Sequence, residues 1–158
     1  MRAHVLLADF TQSDSAGKVN VLGLGWSVTV TPTPHHAVVV ILRVAWDETN
    51  INHHLTLRLL TADGLNAVEV PTPFGSQPLM VEAEFKVGRP PGLAQGPSID
   101  HSLAINVGPG LPLAAGPYEW RLQVDDEQRE DWRAAFTVRQ PQGAPAPGFG
   151  AGDSPANP

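Results

Sequence analysis

Gly116-Pro117-Tyr118-Glu119-Trp120-Arg121-Leu122-Gln123-Val124 is followed, after an acidic turn, by Trp132-Arg133-Ala134-Ala135-Phe136-Thr137-Val138. In both runs apolar and polar residues alternate with a period of two. A strand alternates in this way when one face covers a core and the other meets water. Tyr118, Trp120, Leu122 and Val124 then point inward on one strand, and Trp132, Ala134, Phe136 and Val138 on the next. The pairing is that of an antiparallel hairpin closing a β-sandwich.

The same reading extends toward the N-terminus. Ala3 to Phe10 forms a first strand, and Thr11 to Gly17 is a turn by residue type. Lys18 to Leu22 and Trp26 to Thr31 are short strands joined through Gly23-Leu24-Gly25, where two glycines mark a bulge or tight corner. Ala37 to Ala45 is apolar on both faces apart from Arg43, as a central strand covered on two sides would be. With Asp47 to Asn52 as a loop, Val44, Leu42 and Val40 fall opposite Leu55, Leu57 and Leu59, which predicts a central hairpin. Leu79 to Val87 alternates with one wet face, and Leu103, Ile105 and Val107 form a further short strand. No window has a helical period and no repeat recurs at fixed spacing. The expected fold class is therefore all-β: one antiparallel β-sandwich of about eight to nine strands over residues 1–139. Residues 140–158, rich in Pro, Gly and Ala, are expected to be a disordered tail.

Composition narrows the function classes. The chain has 158 residues, 42% of them hydrophobic and 16% charged, enough for one domain-sized core. A net charge of -6 with ten scattered basic residues argues against nucleic acid as a partner. There is no cysteine, hence neither disulfides nor a Cys-ligated zinc. The N-terminal apolar run Val5 to Ala8 is too short for a signal sequence or a membrane span. A cytoplasmic location with no membrane partner is expected.

Two resemblances rest on named residues. The spacing from Gly116-x-Tyr118-x-Trp120 to Phe136-x-Val138 resembles the final hairpin of immunoglobulin-like and fibronectin-type sandwiches, without their cysteines. Ala8-Asp9-Phe10, Asn20-Val21-Leu22-Gly23-x-Gly25-Trp26 and Leu111-Pro112-Leu113-x-x-Gly116-x-Tyr118-x-Trp120 are similar to a family of uncharacterised actinobacterial proteins, a domain of unknown function. That similarity spans residues 3 to 139 and implies a shared fold, with no activity attached.

Candidate chemistry is sparse. His35-His36 and His53-His54 are adjacent pairs, and neighbouring strand residues face opposite ways, so neither pair chelates one ion from regular geometry. His53 or His54 near His101 is the least implausible arrangement for a metal, and no metal or cofactor is expected. Asp125-Asp126-Glu127 and Glu130-Asp131 lack the ligand spacing of a calcium loop and read as a solvated turn. No Gly-x-Ser-x-Gly elbow or dinucleotide loop is present. Glu82 and Glu84 share a wet face and read as surface charge.

Three functions follow from different classes. The leading expectation is a non-catalytic sandwich module acting through protein-protein contact, a subunit of a larger assembly or phage-like particle, with a protein partner or a homo-oligomer. Trp26, Trp46, His53 and His54 are its candidate contact residues, and its motive is the two-sided apolar strand at 37–45. The alternatives are a small-ligand or carbohydrate-binding module using Trp26 or the 88–101 loops, and an enzyme built on His101, Asp100 and Glu82.

Overall fold

The computed structural model describes residues 1–141, so the expectation of a disordered tail lies almost wholly outside the described residues. The chain is all-β. Its strands are β1 (Arg2–Ala8), β2 (Phe10–Ser13), β3 (Val19–Leu22), β4 (Val28–Val30), β5 (His36–Val44), β6 (Asn52–Thr61), β7 (Glu69–Thr72), β8 (Gly75–Pro78), β9 (Met80–Lys86), β10 (Ile99–Val107), β11 (Gly116–Val124) and β12 (Arg133–Arg139). One sheet has the order β1-β5-β10 and a second, curved sheet has the order β4-β12-β11-β6-β9. Two further ribbons are β2-β3 and β7-β8.

The period of two dictates the core. Val38, Val40, Leu42 and Val44 from β5 meet Leu55, Leu57 and Leu59 from β6, with Trp120, Leu122 and Phe136, in one buried cluster drawn from both sheets. The final hairpin forms as its alternation requires, with Trp120 opposite Ala134 and Tyr118 opposite Phe136. The buried Tyr118 donates its hydroxyl to the Ala114 carbonyl 3.0 Å away, which satisfies the only polar atom of its ring at the entrance to β11. Burying each large apolar side chain here contributes roughly 1.5–3 kcal/mol.

The central hairpin is corrected. β5 pairs with β1 and β10, whereas β6 pairs with β11 and β9, so the chain changes sheet between them. The two apolar sets do meet, but across the core. The connection is a single 3-10 turn over Trp46–Glu48, which ends β5 at Val44 and takes Trp46 out of the strand.

Three more differences have local causes. The first strand breaks at Asp9, and Thr11 becomes part of β2 in place of a turn. Gly23 takes φ +62° where any Cβ would overlap the Asp9 carboxylate, while Gly25 N–H donates to Leu7 O at 2.7 Å. The two glycines thereby fold β2-β3 back onto β1. The Pro-rich segment around Gly75-Ser76 contains the β7-β8 ribbon, because Pro71 and Pro78 sit at pairing positions of a two-stranded edge element.

The β2-β3 ribbon lies on the outer face of the β1-β5-β10 sheet. There Ala8, Ala37 and Val39 form a second buried cluster, with Val21 of β3 packed on it. Asn106 of β10 accepts from the Thr11 N–H and hydroxyl and donates to the Thr11 carbonyl, clamping the ribbon in place. Much of the apolar outer face of β5 is therefore covered by the chain itself, which removes the motive for placing a partner there.

Candidate functional site

Directly opposed residues of an antiparallel pair share a face. On the outer face of the five-stranded sheet, Arg121 of β11 lies opposite Arg58 of β6, which lies opposite Met80 of β9. Glu119, two residues along β11, is 1% exposed although it faces outward. Its carboxylate is held between two guanidiniums, contacting Arg121 and accepting from Arg133 Nη1 at 2.9 Å. Burial of a charge is tolerable only with such pairing.

The turn after β6 completes this face. Gly64 N–H donates to Thr61 O at 2.8 Å, and the Asp63 carboxylate accepts from the Thr61 hydroxyl at 2.6 Å and from Leu65 N–H at 3.0 Å. Those bonds hold the Asp63 carboxyl below the usual carboxylate range. Gly64, at φ +67°, lets the Arg121 guanidinium pack against its backbone, where a Cβ would crowd it. The turn delivers Leu65 to the rim with 82% of its surface exposed.

Between these elements lies an open groove of about 450 Å³, walled by Leu60, Leu65 and Met80, with Arg58 and Arg121 as the only ionisable side chains along it among the described residues. Arg121 is paired with Glu119. Among the described residues Arg58 makes no ion pair. At the far edge of the same face, Val28 and Val30 lie beside Thr137 and Arg139 with 46% and 43% of their surface exposed.

The other concave surfaces hold structural pairings. His53 is 4% exposed, and both of its ring nitrogens face acceptors: Nδ1 lies 2.9 Å from Asp125 Oδ2 and Nε2 lies 2.7 Å from Glu48 O. Only the doubly protonated ring donates both bonds. Burial alone would lower its pKa, but the Asp125 and Glu48 hydrogen bonds and the two carboxylate charges outweigh burial and raise it. For Asp125 the upward push of burial is overcome by bonds from His53 and the His54 backbone, and its pKa falls. The acidic turn is thus not merely solvated, since Asp125 bonds two strand positions of β6.

The residues proposed from sequence are dispersed. Trp26 is half-buried, edge-on to His36 and Phe136, and packs against the core, so it offers no flat platform to a sugar. Trp46 is half-buried, with the Arg89 guanidinium 4.5 Å over its ring. His53 is buried and unavailable for contact. Only His54 stands on the outer sheet face, half-exposed and 4.0 Å from Glu82.

His53 and His101 do approach each other, but Phe85 stacks between them, with ring centroids 5.2 and 5.7 Å away, so they do not converge on one ion. Burial lowers the His101 pKa. Among the described residues no group of three His, Cys, Asp or Glu side chains could hold a metal. The nominated enzymatic set also falls apart: Asp100 is paired with Arg43 on the outer face of β10, His101 points inward, and Glu82 lies on the other sheet.

Sequence reasoning missed Arg58 and Arg121. Strand parity already places both on outward faces, but their juxtaposition requires β6 to pair with β11. The assumed β5-β6 hairpin hid it.

No helix among the described residues is long and apolar enough to cross a membrane. No curated protein matches the chain. Residues 3–139, from the first strand through the last, match a family of unknown function (DUF6941), and the chain belongs to that family.

Proposed function

We propose that this chain is a non-catalytic, immunoglobulin-like β-sandwich module that works by protein-protein contact, as a subunit of a larger assembly or phage-like particle. Three features support the immunoglobulin-like reading. A three-stranded and a five-stranded sheet share one core. β4 pairs in parallel with the last strand at the sheet edge. The Tyr118 hydroxyl returns to the backbone four residues upstream, as at the tyrosine corner of such sandwiches.

The observation that carries the functional reading is the outer face of the five-stranded sheet. It leaves Leu65 exposed at the rim of an open groove and Val28 and Val30 exposed at the far edge of the sheet, while one carboxylate on that face, Glu119, is locked between arginines. Large apolar side chains exposed on a sheet face that also carries a concavity with polar side chains are the mark of a contact surface.

The test is native mass spectrometry of tagged protein taken gently from its host, beside a variant carrying Val28→Glu and Leu65→Glu. The expected result is a stoichiometric second protein or a homo-oligomer for the parent chain, lost in the variant at unchanged melting temperature. A bare monomer for the parent, or a partner retained by the variant, refutes the proposal.

A further inference from the structure

Resting on the contact reading above, we infer that the groove beside Arg58 takes a segment of a partner protein that carries a carboxylate next to a large apolar side chain. The protein as a whole has a formal net charge of -6, so a locally cationic groove runs against its average. Arg58 and Arg121 are directly opposed on neighbouring strands, which sets like charges side by side at cross-strand distance. Glu119 compensates Arg121, and Arg133 shares that same carboxylate. Among the described residues Arg58 makes no ion pair, Glu82 on the neighbouring β9 lying 4.0 Å from His54, and the Arg121 Nε–H is buried with no acceptor. Among the described residues no carboxylate lines the groove.

Its walls specify the rest. Leu60, Leu65 and Met80 flank Arg58, so an incoming carboxylate is accompanied by apolar surface within one side-chain length. A guanidinium binds a carboxylate through two parallel hydrogen bonds, and more strongly where neighbouring apolar groups exclude water. Met80 adapts to apolar side chains of different shape. A carboxylate alone would leave the apolar walls wet, and an apolar segment alone would bury Arg58 unpaired.

The test is selection of a phage-displayed library of random peptides on the full chain. Recovered peptides are then titrated by fluorescence polarisation against the parent, Arg58→Gln, Leu65→Ser and, as a distant control, Lys18→Gln. The recovered peptides are expected to share Asp or Glu within a few residues of Leu, Ile, Met or Phe. Their Kd should rise at least about tenfold in Arg58→Gln, the loss of a charge-assisted pair, and rise in Leu65→Ser, with no change in the control.

Peptides without a carboxylate, peptides insensitive to Arg58→Gln, recovery of no peptide sensitive to Leu65→Ser, or phenylacetate competing as tightly as the peptides would each overturn the inference. Peptides sensitive to Leu65→Ser but not to Arg58→Gln would do so while leaving the contact surface standing. A bare monomer in the mass spectrum of the parent chain removes the contact reading separately.

Discussion

Raising the pH should loosen the end of the molecule that holds His53. In the folded chain its two ring nitrogens face a carboxylate oxygen at 2.9 Å and a carbonyl oxygen at 2.7 Å, so removing one proton turns one donated bond into two opposed lone pairs. A hydrogen bond to a charged group contributes about 1.5–3 kcal/mol, and the half-exposed Asp125 side chain puts the value at the lower end, about 1.5 kcal/mol.

The sign follows from the direction of each shift. The His53 pKa is raised, so its contribution is fully present below the unfolded histidine value, near 6.5, and is lost as pH rises through the folded value. Asp125 is depressed, so its share is present above the unfolded carboxylate value and is lost at lower pH, as the folded value is passed. His36 and His101 are lowered by burial and act in the opposite sense, costing stability as pH falls below about 6.5. The parent curve mixes these effects, and the difference between the parent and His53→Gln isolates the first. Differential scanning calorimetry between pH 5 and 9 should show a gap of about 3–6 °C at the acidic end that shrinks as pH rises. A gap that stays constant, or widens at high pH, refutes the doubly donating ring.

Three further outcomes are expected. Glu119→Gln leaves the Arg121 and Arg133 guanidiniums on a neutral amide and should cost about 2 kcal/mol, seen as a urea midpoint lower by about 1 M; an unchanged midpoint would show that the carboxylate is not needed there. Asn106→Ala removes three bonds to Thr11 and should speed hydrogen exchange of the Asp9 and Gly25 amides, which tie the β2-β3 ribbon to β1, by about tenfold or more while amides of β11 keep their protection. Gly23→Ala forces a side chain at φ +62° into the Asp9 carboxylate and should cost about 1–3 kcal/mol by chemical denaturation, part of it recovered in Gly23→Ala with Asp9→Ala.

How far the sequence could be read depended on whether a feature is local. The final hairpin was legible because one pattern supplied both faces and both partners: Trp120 and Ala134 are close in sequence, and a short turn leaves them little choice but to pair. The two-sided apolar run of β5 correctly marked a central strand, since β1 and β10 flank it. Its pairing with β6 was not legible. Shared apolar parity is satisfied equally by neighbours in a ladder and by strands that face each other across a core, because each arrangement requires only that Val40, Leu42 and Val44 meet Leu55, Leu57 and Leu59.

That ambiguity is also why the candidate site stayed hidden. Parity alone assigns Arg58 and Arg121 to water, and on separate strands they read as two isolated surface charges. Once β6 lies against β11 they are opposed, and the buried Glu119 then decides which of them is compensated. Trp26, Trp46 and His53 drew attention because aromatic and imidazole side chains can serve a site. The structure uses the same chemistry to pack one end of the core and to fasten its turns. A residue type that bonds well is as useful to the interior as to a partner, and only its neighbours across the sheet separate the two. Arg58 is the reverse case: an ordinary surface residue that, among the described residues, makes no ion pair and lies along a carboxylate-free groove.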